Sequence, residues 1–89
     1  MLFVILSVML KMTEKNKLAL YGKSYIRFLL IYACQILNIT FIEKEIDDSL
    51  ESDALCVIGE LSSEEDIERM RQKGCLNLLD LINERVNSL

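Results

Sequence analysis

Three short runs of this chain are apolar at nearly every position: Lys17–Tyr21 (KLALY), residues 39–42 (ITFI) and Ala54–Ile58 (ALCVI). Alternating polarity marks a strand that is wet on one face, whereas a near-continuous apolar run of this length marks a strand covered on both. The first and third runs end at Gly22 and Gly59, and each is followed by a stretch with helical spacing. Strands buried on both faces and alternating with helices suit a parallel sheet in an α/β domain.

Between the first two runs, Ser24 is placed to cap a helix over residues 25 to about 37. At about 100° per residue, Ser24, Arg27, Gln35 and Asn38 fall on one narrow polar stripe, with Ile31 inside it. The other positions are apolar, and Leu30 lies just outside the stripe on a second apolar flank. A surface helix normally divides into one apolar and one polar face. This one is expected to be wet along a thin edge, packed on a sheet with one flank and on something else with the other.

Residues 43–53 (EKEIDDSLESD) hold six acids in eleven positions and read as a solvated loop. Ser62 and Glu65 fit a capping box for a helix over about 63–73. Its acids come early (Glu64, Glu65, Asp66) and its bases late (Arg69, Arg71, Lys73), which complements the helix dipole. Only Ile67 and Met70 are expected to face inward, and Gly74 suits the position after the helix. Residues 75–78 then read as a short strand and 80–88 as a helix. A single long helix also fits the spacing of Cys75, Leu78, Leu79, Ile82, Val86 and Leu89.

The resulting order, β-α-β-β-α-β-α, suits a small α/β unit with a Rossmann-like parallel or mixed sheet. The alternative is the split βαββαβ of the ferredoxin-like α+β fold. The acidic connection is long for a hairpin, which favours the parallel arrangement. At 89 residues the chain is expected to be one domain, 1–89. Residues 1–10 (MLFVILSVML) are apolar at nine of ten positions, too few to span a bilayer. They lack the basic start and small-residue cleavage site of a secretory signal. Two readings stand: residues 1–11 are an extra strand, or Met12 is the true start and 12–89 the domain proper.

The net charge is −4, and the Lys and Arg residues are scattered. Nucleic acid and anionic membrane surfaces are therefore not expected partners. Cys34, Cys56 and Cys75 are odd in number, match no zinc spacing and lie in or beside apolar runs; the chain has no histidine. They are expected in the core, as reduced thiols that point to the cytoplasm.

Gly22-Lys23-Ser24 lies between a strand and a helix, where a phosphate-binding turn belongs. A P-loop needs glycine at Lys17, and a dinucleotide fingerprint needs it at Ser24 and Arg27, so neither motif is complete. Glu43 follows Gly22 by 21 residues at the end of the second strand, where an acid would hold a ribose. Gly22, Lys23, Ser24 and Glu43 are thus the candidate site for a nucleotide or other anion, with a helix cap and a solvated lysine as the simpler account. The acidic loop 43–53 is a candidate for a divalent metal. An EF-hand read from Asp47 finds Ser52 in place of the glycine and Ile58 in place of the last glutamate. No nucleophile–base pair is suggested, no cofactor is implied, and no metal site is assigned. With hydrophobic residues at 52%, the chain carries more apolar surface than one small core readily hides. The favoured expectation is a non-enzymatic interaction domain that forms a homo-oligomer or binds a protein partner.

Overall fold

The computed structural model describes residues 15–88, so both readings of residues 1–11 lie outside the described residues. The elements in chain order are β1 (Lys17–Tyr21), α1 (Arg27–Leu37), β2 (Thr40–Lys44), β3 (Ala54–Ile58), α2 (Glu64–Gln72), β4 (Leu76–Asn77) and α3 (Leu78–Ser88). The strands form one sheet in the order β2-β1-β3-β4, and every pairing is parallel. This is a small α/β domain of Rossmann-like type. Among the described residues no strand pair is antiparallel, so the pairing departs from both the ferredoxin-like alternative and the mixed sheet, each of which requires antiparallel neighbours.

The central strand shows why the apolar runs are continuous. Leu18 and Leu20 of β1 point to one face, where Val57, Leu30, Ala33 and Cys34 of α1 and Leu78 of α3 join them. Ala19 and Tyr21 point to the other, with Cys56, Ile58, Cys75 and Met70 of α2. Two layers of helix on one sheet require apolar side chains at odd and even positions alike. Each large side chain fully buried this way contributes about 1.5–3 kcal/mol.

The connection from β2 to β3 is parallel, so residues 45–53 must carry the chain back past β1. No helix forms there. Instead the loop lies on the α2 face, where Ile46 packs against the core and the buried Tyr21 hydroxyl pins the backbone. That hydroxyl donates to the Ser49 carbonyl (2.9 Å) and accepts from the Glu51 N–H (2.9 Å). Burial pushes the Tyr21 phenol up to about 12.

Three local expectations need correction. α1 begins at Arg27, and its first residue has no side-chain cap; the Ser24 hydroxyl accepts from the Ile26 N–H instead (3.1 Å). In α2 the cap is Ser63, which accepts from Asp66 N–H (3.1 Å), one position later than the Ser62–Glu65 box. The third concerns the orientation of α1. Leu30, expected on a second flank, is 0% exposed in the core, and Ser24 is buried. The outward face is instead apolar. Leu30, Ala33 and Cys34 form the i, i+3, i+4 set that fits β1, and this leaves Tyr25, Phe28, Tyr32 and Ile36 outside.

Candidate functional site

In an open parallel sheet, ligands bind beyond the carboxyl ends of the strands, where neighbouring connections leave in opposite directions. Here that point lies between β1 and β3, and the turns after those strands meet there. Gly22 has φ +79°, and a Cβ on it would lie 2.6 Å from the Ser62 hydroxyl. A Cβ on Gly59 would lie 2.1 Å from the Lys23 carbonyl oxygen. The two turns are therefore in contact backbone to backbone, and the ladder continues through them: Gly59 N–H donates to Tyr21 O (2.9 Å) and Leu61 N–H to Lys23 O (3.1 Å).

A cleft of about 730 Å³ opens beside this junction, lined among others by Gly22, Lys23, Ser24, Arg27, Glu43 and Ser62. The structure thus brings all four candidate residues to one place. It also shows what their polar groups do. Glu60, after β3, accepts from the Ser24 hydroxyl (2.9 Å) and from the Tyr25 N–H (2.8 Å) with one carboxylate oxygen. The chain's own carboxylate occupies the entry to α1, where an anion would sit. Gly22 N–H is bound to the Lys44 carbonyl (3.1 Å). Glu43 is held by a two-pronged ion pair with Arg27, whose Nη2 donates to Oε2 at 2.8 Å. That guanidinium keeps the Glu43 carboxyl below its usual range. Lys23 stays exposed, and the Ser62 hydroxyl oxygen is buried with no hydrogen-bond partner among the described residues. Glu60 is the residue that sequence reasoning missed; it lies 36 positions from Ser24 and no local pattern links them.

Of the acids in residues 43–53, Glu43, Asp47 and Glu51 are paired with neighbouring cations, and Asp48 accepts from the Glu45 N–H (3.0 Å). Asp47 accepts from Arg69 (2.7 Å) and lies 3.7 Å from Lys73, while Glu51 meets Lys44 (3.1 Å) and Lys17 (3.9 Å). Among the described residues, no three Cys, Asp or Glu side chains converge as a metal would need. The three cysteines are free and buried. No helix among the described residues is long and apolar enough to cross a membrane.

On the outer side of α1 and in the turn before it, large apolar side chains are exposed. Tyr25 is 83% exposed, Phe28 77%, Ile36 56% and Tyr32 55%. Phe28, Tyr32 and Ile36, four residues apart, lie along one face of α1, and Tyr25 precedes them in the turn before the helix. Arg27 lies over the Phe28 ring, 5.3 Å from its centroid, while its guanidinium remains paired with Glu43. No family of known proteins, no curated protein and no solved structure matches this chain.

Proposed function

We propose that this chain is a non-enzymatic interaction domain that self-associates through the outer face of α1. The observation that carries the reading is the exposed row of Phe28, Tyr32 and Ile36 on α1, extended by Tyr25 in the turn before it, on a helix whose other side is already packed. Isolated exposed apolar residues are ordinary, but a contiguous row of large ones marks a contact surface. A second copy suits this face on electrostatic grounds. The chain carries net charge −4, so two copies repel unless they meet where the acids are absent. α1 (RFLLIYACQIL) has no carboxylate, and its one cation is already paired with Glu43. Such a face is self-complementary about a two-fold axis, as the commonest homodimers are.

Sedimentation of the full chain at high-micromolar concentration is expected to show a dimer. Phe28→Glu is expected to give a folded monomer, with Gln35→Glu on the same outward side as a milder charge control. A wild-type chain that stays monomeric at that concentration overturns the proposal.

One observation favours a second reading: Gly22, Lys23, Ser24 and Glu43 do share one cleft at the strand ends. A nucleotide or other anion would bind beside Lys23 and compete with Glu60 for the Tyr25 N–H. Thermal-shift measurements with nucleotides and inorganic phosphate test this. A stabilisation that Lys23→Ala abolishes supports it, and the absence of any shift rejects it.

A further inference from the structure

The sheet register makes two of the cysteines neighbours. In the β3–β4 ladder, Val57 pairs with Leu76 and Ile58 with Asn77. One step back, Cys56 stands opposite Cys75. Both side chains lie in the cluster on the α2 face with Ala19, Tyr21, Ile58 and Met70. Cys34 lies on the opposite face, under α1, with the sheet between it and the other two.

We propose that Cys56 and Cys75 form an oxidisable dithiol, which a low-molecular-weight disulfide such as oxidised glutathione converts to an intramolecular disulfide. Adjacent strands lie about 4.8 Å apart, and bridged cysteines need Cα atoms roughly 4.4–6.8 Å apart. Backbone spacing is therefore suitable. Bridged Cβ atoms lie about 3.5–4.5 Å apart, closer than neighbouring strands normally hold them, so one strand must shift by up to about 1 Å. β4 has only two residues and sits at the sheet edge, where such a shift is least resisted.

Access orders the two thiols. Cys56 is 8% exposed and lines an open depression of about 360 Å³ with Leu50, Gly74 and Leu76. Cys75 is 1% exposed, and burial pushes its thiol up to about 12. Cys56 is thus the attacking group. Its sulfur displaces one glutathione from the oxidant and forms a mixed disulfide, and its proton leaves with that glutathione. The Cys75 sulfur then attacks the Cys56 sulfur and releases the second glutathione, again with a proton. Two protein thiols lose two electrons and two hydrogens, and one disulfide is reduced to two thiols.

The test is to hold the folded full chain in excess oxidised glutathione and then count thiols after acid quenching and unfolding. The expected count falls from three to one, with a mass loss of two hydrogens. A peptide map is expected to join Cys56 to Cys75 and leave Cys34 free. Cys34→Ala is expected to give the same bridge. Three remaining thiols, a lasting glutathione adduct on Cys56, or a bond to Cys34 would each overturn the proposal.

Discussion

The first two helices of this domain solve opposite problems. α2 is built to be a helix in water: Ser63 caps it, three acids open it, Arg69 and Arg71 close it, and of its side chains only Met70 is fully buried. α1 has none of these devices. It has no side-chain cap, no acid in its first turn and no base in its last. It exists because Leu30, Ala33 and Cys34 pack on the sheet, and most of what remains is apolar too. A helix held by local signals needs few tertiary contacts, whereas a helix held by packing alone must bring apolar surface. α1 brings more than one sheet can cover, and that surplus is the surface assigned above to a second copy.

The sharpest way to break this contrast is a charge at the packed side of α1. Leu30→Glu buries an unpaired carboxylate among Leu18, Leu20 and Val57. It is expected to cost several kcal/mol, comparable with the whole stability of a chain this short, about 5–10 kcal/mol. Circular dichroism is expected to show an unfolded chain. Phe28→Glu, two positions earlier and pointing outward, is expected to retain the native spectrum. If both variants unfold, the outer row belongs to the core and the contact surface is lost. A smaller loss is expected where α2 has its one deep anchor. Met70→Ala is expected to remove about 2–4 kcal/mol, read from urea midpoints. A cost near zero would mean that α2 stands on its caps and ion pairs alone.

The same contrast decides what was legible in the residues. The extent of α2, its charge pattern and its inward residues could be read locally, but the frame of its cap was one position early, and Arg69 pairs with Asp66 and Asp47 rather than with Glu65 four residues before it. Ser62-Ser63-Glu64-Glu65-Asp66 offers two frames with the same chemistry, Ser62 to Glu65 or Ser63 to Asp66. β1 and β3 were equally clear, because burial on both faces leaves an unbroken apolar run. By contrast β2, with no buried residue, runs two residues past its apolar stretch, and β4, two residues long, fitted a helix as well as a strand. For α1 the helix was legible but its orientation was not. With apolar residues nearly all round, spacing cannot name the packed side, and the sheet chose Leu30 over Phe28. Ser24 and Arg27 looked wet because their partners, Glu60 and Glu43, are distant in sequence. The opposition of Cys56 and Cys75 was likewise invisible, since it arises from the register of β4 on β3. Gly22, Lys23, Ser24 and Glu43 line one cleft, but Glu60, which engages Ser24 and the entry to α1, had no local signal.

The cap itself sharpens the comparison at a smaller scale. Ser63→Ala leaves the Asp66 N–H without its side-chain acceptor and is expected to cost about 1 kcal/mol. Ser24→Ala tests the entry of α1, where the hydroxyl links Glu60 to the Ile26 N–H inside a buried turn. If α1 depends on tertiary contacts, its loss is expected to exceed that of Ser63→Ala, because Glu60 then loses a donor in a place with little water. Urea midpoints of the two variants side by side give the ranking. A larger loss from Ser63→Ala would reverse the roles assigned to the two helices.

The smallest expected effect concerns the charges that tie the acidic loop to α2. Asp47 is held below the usual carboxylate range, first by its hydrogen bond from Arg69, with Lys73 adding to the attraction. A carboxyl whose folded value is depressed adds stability above its unfolded value, near 3.9, and loses it as the pH falls through the folded value. Asp47→Asn removes that contribution while leaving a residue that tolerates the local backbone, since Asp47 has φ +76° and asparagine also accepts the left-handed region. At neutral pH and low salt the variant is expected to unfold at slightly lower urea than the wild type. Below the folded value the two are expected to converge, and at high salt the gap is expected to shrink at every pH, because the pair is exposed. The Arg27–Glu43 pair responds to acid in the same direction, so the wild type keeps a residual pH dependence that the variant shares. A gap between wild type and Asp47→Asn that is equal at pH 7 and in acid, and indifferent to salt, would show that Asp47 acts through its backbone geometry. α2 would then owe its place to Met70 and its cap, with no help from the loop.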